Sequence, residues 1–241
     1  MTMPNAPVLN YQSPTSQSVP LRPRTLAVMV ALGLTLLMHL GSLVVGFMQM
    51  QLLENVRAGG SITTAEAQAN DLRYGAVHVG LLIGLIVTCI ALMMWMYRAN
   101  KNLTSWTTHR LDFTPGGAIG WWFCPFLNLV KPYQMMKEIF TVSHEGFRPR
   151  STAVVGWWWG MWIISNIVTR IGAAMGVHGT ESPTIDKLVT ATWTSMLDTP
   201  FALVAGLCLM WTIFCVDQVQ GERRNVANAP ALADVPRLTP V

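Results

Sequence analysis

Residues 120–138 read GWWFCPFLNLVKPYQMMKE, and the way in which this stretch meets a membrane sets the topology of the chain. Its aromatic and aliphatic side chains are apolar enough for a bilayer. Pro125 and Pro132 interrupt a continuous helix, because proline lacks the N–H that a helix requires. The apolar part ends at Lys131 and is shorter than the roughly 20 residues that cross a bilayer as a helix. We therefore predict that residues 116–142, called here the proline-broken segment, dip into the membrane or lie on its surface without crossing it.

The composition of the whole chain is that of a membrane protein. Its 241 residues are 51% hydrophobic and 12% charged, whereas about a quarter of the residues in soluble domains are charged. The mean hydropathy is +0.39. The net charge of +4 does not indicate nucleic-acid binding, because the basic residues lie between apolar runs and do not cluster on one helix. We therefore expect no nucleic acid among its partners.

Four apolar stretches are long enough to cross the hydrocarbon core as helices. They lie near residues 26–48, 76–97, 153–174 and 199–216. The proline-broken segment comes between the second and the third stretch. The sequence thus predicts an all-α integral membrane protein with four transmembrane helices and one re-entrant or interfacial helical segment.

The predicted spans form one membrane domain, residues 25–224, between two polar tails. Residues 1–24 are rich in Pro, Ser, Gln and Asn, and residues 225–241 are rich in Ala and Pro. Neither composition provides enough large apolar side chains for a core. Residues 1–24 also lack the apolar stretch of a cleaved signal peptide. We expect both tails to be disordered.

Lysine and arginine predict the orientation, because they are retained on the cytoplasmic side during insertion. Twelve of them fall before span one, between spans two and three, or after span four, and only Arg57, Arg73 and Lys187 fall in the opposite loops. If the proline-broken segment crossed the membrane, this bias would largely disappear. Both termini are therefore predicted to be cytoplasmic.

Local signals predict two helices more closely. After Pro132 the apolar residues recur at helical spacing with polar residues between them, which is typical of an amphipathic helix at an interface. Thr63 followed by Glu66 fits a capping box. Helix two should therefore begin outside the bilayer and continue to Asn102, so that helices one and two form a hairpin projecting beyond the membrane.

Three motifs resemble the bacterial membrane family called domain of unknown function 4328. They are WMYRANKNL at 95–103, FTPGGAIGWWFCPFLNLVKPYQMMKEIF at 113–140 and GWWWGMW at 156–162. The resemblance, strongest over residues 95–162, implies a multi-span domain in the cytoplasmic membrane of a bacterium, and it implies no activity. The matching positions form a candidate binding or structural motif: Arg98, Asn102, Pro115, Gly120, Trp121, Trp122, Pro125, Asn128, Pro132, Tyr133, Gln134 and Glu138.

Other polar side chains lie within the predicted spans or beside the proline break. His39 is near the middle of span one, where polar groups are costly and often functional; it is either a proton-relay group or a neutral imidazole bonded to a neighbouring helix. Arg170 and Asp198 should lie at similar depth near the outer side. Either they pair, or Arg170 reaches lipid phosphates and Asp198 caps helix four. Asn128 should donate its amide to backbone carbonyls freed by Pro125.

No catalytic or metal-binding motif is recognisable. The four cysteines, Cys89, Cys124, Cys208 and Cys215, lack metal-ligand spacing, so we expect no metal and no cofactor. Phosphate loops, nucleophile elbows and His-Glu-x-x-His pairs are absent from the sequence, which leaves enzymatic activity without support. Most of the ten tryptophans map to the cytoplasmic half. They form either an interfacial belt or an aromatic pocket for a lipid headgroup or small amphiphile.

Two functions from different classes remain open. The first is a structural or interaction protein, whose cytoplasmic segment docks a protein partner or organises membrane lipids. The second is a binding or permeation module for a small solute or lipid, because interrupted helices often line sites in transporters. A water-accessible cavity reaching His39, Asn128 or Gln134 would favour the second function, and a solid bundle would favour the first.

Overall fold

The computed structural model describes residues 18–107, 110–176 and 184–228, and within these ranges the chain is all-α, as predicted. Most of the two predicted tails lies outside the described residues, although residues 22–24 and 225–228 belong to helices. The helices are α1 (Arg22–Arg57), α2 (Thr64–Leu103), α3 (Gly117–Gly120), α4 (Lys131–His144), α5 (Ala153–Gly176) and α6 (Ile185–Asn228).

Three helices, α1, α2 and α6, are long and apolar enough to cross a membrane by length and composition. This finding indicates a multi-pass membrane protein. Helix α5 contains the predicted third span and has 24 residues. It is not one of these three helices, and its four tryptophans, Asn166 and Arg170 carry polar atoms.

The hairpin of α1 and α2 forms as its local signals predict. Helix α1 ends at Arg57, and Gly59 follows with a φ of 85°, a left-handed conformation that glycine adopts without steric cost. Thr63 Oγ1 accepts the N–H of Glu66 at 3.2 Å, and Glu66 Oε2 accepts the N–H of Thr63 at 2.8 Å. This capping box starts α2, whose 40 residues extend about 60 Å at 1.5 Å per residue.

Helix α6 begins much earlier than the predicted start of span four. It runs without a break from Ile185 through Pro200 to Asn228. The predicted span near residues 199–216 would put Pro200 in its first turn, but this proline lies inside the helix, where it removes one backbone hydrogen bond. Asp198 is therefore in mid-helix, and the prediction that it caps the helix is wrong.

The long helices pack so that α1 lies against both α2 and α6, and α5 lies along α6. We call the end where α1 begins and α6 ends the proximal end, and the opposite end distal. The tightly buried core is concentrated at the proximal end, where α3 and α4 add their side chains to it. Large apolar side chains are exposed along the more distal lengths of α1 and α2, as expected of helices that face lipid.

Polar contacts between the long helices fall into two groups separated by an apolar layer. Those of the distal half join Thr35 to Thr88, Ser42 to Thr199, Gln49 to Thr192 and His78 to Ser195, at 3.0–3.4 Å. Those of the proximal end centre on Thr25 and Asn102. The apolar layer between the two groups consists of the buried side chains of Val28, Leu32, Leu92, Leu209 and Ile213.

Candidate functional site

The proline-broken segment folds as a series of short turns at the proximal end. Helix α3 is followed by two single turns of 3₁₀-helix at 121–123 and 127–129, and Pro125 lies between these turns. Phe126 has a φ of 63°, a left-handed conformation in which an L-residue with a side chain is strained. The chain therefore reverses direction sharply at the proline instead of continuing as one helix.

This reversal presents a row of large apolar side chains to the exterior. Phe126 is 85% exposed and Phe123 is 73% exposed. We call the row the apolar edge; its members are Ile119, Phe123, Phe126, Leu127, Leu129 and Val130. Soluble proteins rarely expose such a contiguous group, so the apolar edge marks a surface that contacts something apolar.

Tryptophans hold the other side of the segment against α5. Trp159 Nε1 donates to Leu129 O at 2.9 Å. The ring of Trp122 meets those of Trp159 and Trp162 edge-on, at centroid distances of 6.2 and 6.5 Å. Trp158 and Trp159 are buried. These side chains pack against one another, and the interfacial belt and the aromatic pocket both stay predictions.

Helix α4 follows the segment and turns one side into the core. Lys131 opens it, with its Nζ 5.4 Å from the ring centroid of Phe113 and 5.8 Å from that of Trp121, both within the range of a cation–π contact. The buried residues of α4 include Pro132, Met135, Met136, Ile139 and Phe140. Tyr133 is half-buried against this core, whereas Gln134 and Lys137 are exposed.

Glu138 on α4 anchors the loop that precedes the segment. Its Oε1 accepts the N–H of Asp112 at 2.5 Å. Burial raises the pKa of the Glu138 carboxyl, and hydrogen bonds from the backbone of Asp112 and Phe113 partly offset this effect. The predicted motif residue Glu138 therefore has a visible structural role, because it ties the loop to α4.

Asn102 lies at the centre of a hydrogen-bond network at the proximal end. Its Nδ2 donates to Val19 O at 2.9 Å, and its Oδ1 accepts the N–H of Val19 at 3.1 Å, which closes a two-bond ring. Nδ2 also donates to Gln220 Oε1 at 3.1 Å. The residue is 2% exposed. One side-chain amide therefore joins α2, α6 and the segment that leads into α1, residues 18–21.

Gln220 extends this network to α4. Its Nε2 donates to Ala99 O at 3.2 Å and to Ser143 Oγ at 2.9 Å. Arg223 Nε donates to Ser143 O at 2.8 Å. A cavity of about 260 Å³ opens beside the network, lined in part by Val19, Asn102 and Gln220. The proximal end thus combines a buried network of hydrogen bonds with a small recess.

A second group of buried polar atoms lies beside the first. Thr25 Oγ1 donates to Asp217 Oδ1 at 3.1 Å and accepts from Trp95 Nε1 at 3.0 Å. The sequence interpretation missed Asp217 and Gln220, because both follow the predicted end of span four. Their spacing from Ile213 is helical, and that periodicity could have revealed them.

The remaining motif residues have smaller roles. Pro115 O accepts the N–H of Ala118 at 3.1 Å in the turn that opens α3. Gly120 is exposed at the end of α3, and Arg98 is half-buried on α2. The predicted role of Asn128 is wrong, because its side chain forms no hydrogen bond to any described residue. The carbonyls beside the proline break accept hydrogen bonds from the backbone instead. Leu127 N–H donates to Pro125 O at 2.7 Å, and Asn128 N–H donates to Cys124 O at 3.0 Å.

The predicted pair of Arg170 and Asp198 does not form. Asp198 Oδ1 accepts a hydrogen bond from the hydroxyl of Ser165, with 2.5 Å between the two oxygens. Arg170 is exposed and forms no ion pair among residues 18–107, 110–176 and 184–228. His39 is half-buried in the distal half, far from the motif. The charges of Asp198 and His78 act on its imidazole.

Acidification should weaken the proximal end through His144. Its Nδ1 is 2.7 Å from Phe140 O, and the ring is buried and stacked on Phe140. Burial lowers its pKa; the bond to Phe140 acts in the opposite direction, and the charges of Arg150 and Arg223 lower it further. A lowered folded-state pKa contributes stability above the unfolded pKa of about 6.5 that is lost as pH falls through the folded value.

We therefore expect the unfolding midpoint in detergent to fall as the pH decreases from about 6.5, and His144→Gln should reduce the slope of that decrease. Thermal scans of both proteins from neutral to mildly acidic pH provide the measurement. The same slope in wild type and variant would contradict the assignment to His144.

A family model described as Domain of unknown function (DUF4328) matches residues 58–218, about two thirds of the 241-residue chain. The match begins immediately after α1 ends, and it includes every motif residue from Arg98 to Glu138. Val19 and Gln220, the partners of Asn102, lie outside it. No curated protein matches the chain, and no solved structure does.

Proposed function

We propose, from the premise that the chain belongs to the DUF4328 family, that it is a structural or interaction protein of the cytoplasmic membrane. In this proposal four helices cross the bilayer, both ends of the chain are cytoplasmic, and the proximal end forms a platform at the inner surface. Membrane lipids contact one side of the platform, and a protein partner docks on its polar side.

The packing of α5 supports a fourth crossing. Helix α5 lies along α6 for much of its length, so a bilayer that surrounds α6 also surrounds α5. Its outward side chains include Trp157, Ile164, Ile167 and Ile171, which are exposed and apolar. Its 24 residues exceed the roughly 20 needed to cross. Together with the bias of lysine and arginine, this packing supports a cytoplasmic location of the proximal end.

The observation that carries the proposal is the apolar edge. Water would leave its large side chains unfavourably hydrated, whereas the acyl chains of the inner leaflet would cover them. Trp159 and Trp122 hold the edge to α5, one of the proposed spans, and this contact supports a position at the membrane boundary. We place the proline-broken segment there as an interfacial wedge that does not cross, with α4 lying along the membrane surface as an amphipathic helix.

The cavities favour an interaction protein over a permeation module. The recess at the proximal end is lined by Val19, Asn102 and residues of α6. A second cavity, about 370 Å³, lies between α1 and α2 in the distal hairpin. Neither of these two cavities is lined by His39, Asn128 or Gln134. The exposed residues of α4, including Gln134 and Lys137, would instead offer a rigid polar surface to a protein partner.

A spin label at position 126 should report a lipid environment. With the four native cysteines replaced, a label on Phe126→Cys in liposomes should relax mainly through dissolved oxygen, which concentrates in acyl chains. A label on Lys137→Cys, the matched control on α4, should relax mainly through a water-soluble nickel chelate. If position 126 is as accessible to the chelate as position 137, the apolar edge is not inserted and the proposed wedge is wrong.

A further inference from the structure

Two arginines are brought together at the proximal ends of α1 and α2. The hydrogen bond from Trp95 Nε1 to Thr25 Oγ1, 3.0 Å long, fixes the level at which these helices meet. Arg24 directly precedes Thr25, and Arg98 lies about one helical turn beyond Trp95. The two guanidinium groups are close enough for their like charges to interact.

No acidic side chain neutralises this pair within the part of the chain that the structure describes. The ion pairs there join Arg22 to Asp217, Arg57 to Asp186 and Arg148 to Glu222. Arg98 Nε is buried and has no hydrogen-bond partner among the described residues. Two neighbouring cations repel each other unless an anion lies between them, and a buried donor without a partner is unfavourable.

The surroundings of the pair are basic on one side and apolar on the other. Lys101 follows Arg98 by three residues, so it shares the same side of α2, and its side chain is exposed. Met94 and Ile90 lie one and two turns before Arg98 in the distal direction, and both are exposed. An anion at Arg98 would therefore have a hydrocarbon-facing surface directly beside it.

We propose that Arg24 and Arg98 bind the phosphate group of an anionic phospholipid in the inner leaflet. Guanidinium groups match phosphate oxygens with paired, charge-assisted hydrogen bonds. Lys101 adds positive charge at the water side, and the acyl chains lie along Met94 and Ile90. Basic recesses between membrane helices on the cytoplasmic side are suited to such headgroups. The inference rests on the proposed crossing of α1 and α2, and it is independent of the apolar edge.

The test compares lipid retention in native mass spectrometry. Wild-type protein purified from mixed phosphatidylglycerol and phosphatidylcholine should retain phosphatidylglycerol preferentially. Arg98→Gln and Arg24→Gln should each reduce that retention several-fold, whereas Arg98→Lys should keep part of it. Arg73→Gln, an exposed arginine at the distal end of the same helix, is the matched control and should retain phosphatidylglycerol as wild type does.

Three outcomes would overturn the inference. The first is equal retention of both lipids by wild type. The second is undiminished retention by Arg24→Gln in protein whose helix content by circular dichroism matches wild type. The third concerns the source of the phosphate: if inorganic phosphate stabilises wild type in pure phosphatidylcholine nanodiscs as much as phosphatidylglycerol does, the site binds free phosphate. A chain that does not enter nanodiscs would instead contradict the proposed membrane crossing.

Discussion

Replacing Trp95 by alanine should lower the free energy of unfolding by about 3 to 5 kcal/mol, the usual loss when a large aromatic side chain is removed from a packed core. Trp95 is 0% exposed. Its ring lies where α1, α2 and α6 meet, and its Nε1–H donates to Thr25, which in turn donates to Asp217. The substitution would leave a cavity and would also remove one of the hydrogen bonds that join these helices.

Two further variants separate these effects. Trp95→Phe fills most of the cavity but removes the indole donor, so it should cost about 1 to 3 kcal/mol, the usual loss when a buried polar group is left without its partner. Trp157→Ala removes the same side chain from an exposed position, 58% accessible, and should have a much smaller effect. Denaturant titration in detergent micelles measures all three. Equal losses at positions 95 and 157 would show that the proximal core is not packed as described.

Asn102→Leu should lower the free energy of unfolding by about 2 to 4 kcal/mol, because it leaves several polar groups without partners at about 1 to 3 kcal/mol each. Gln220 is the most affected, since its side chain is buried. The N–H and carbonyl of Val19 also lose their ring of two hydrogen bonds. The loss of these bonds should also release the segment that contains Val19 from α2. Proteolysis provides this second readout, since a protease should cleave near Val19 sooner in the variant.

The matched control for Asn102 is Asn225→Leu. Asn225 also lines the recess at the proximal end but is exposed on α6, so its replacement should leave both stability and cleavage near wild type. Asn102→Asp gives a stricter comparison, because it keeps the shape and replaces the donor with an acceptor that faces Val19 O and Gln220 Oε1. If Asn102→Asp is as stable as wild type, the hydrogen bonds of the Asn102 amide do not hold these segments together.

Features of the fold that depend on neighbouring residues could be predicted from the sequence. The capping box of Thr63 and Glu66 involves residues three apart, and it located the start of α2. The helix after Pro132 followed from its periodicity in the same way. The hydrogen bonds of Asn102 connect residues 83 and 118 positions apart, and no local pattern reveals such pairs.

Two of the incorrect predictions have different physical causes. Counting residues along a span gives neither the shift of one packed helix along another nor the rotation of a side chain about the helix axis. Arg170 and Asp198 were assigned similar depths, yet Arg170 is exposed and Ser165 is the residue of α5 that contacts Asp198. The start of α6 was misplaced because a proline in a helix interior and a proline in a first turn have the same local sequence.

The apolar layer formed by Val28, Leu32, Leu92, Leu209 and Ile213 has an electrical consequence. Thr212, which lies in this layer between Leu209 and Ile213, donates its hydroxyl to Cys208 O at 2.8 Å. The described side chains of the layer therefore offer a proton or hydrated ion from the distal half little with which to replace its water. The recess at the proximal end would be equally isolated from the other side. In the membrane arrangement proposed above, a bilayer that contains many copies of this protein should therefore keep its electrical resistance.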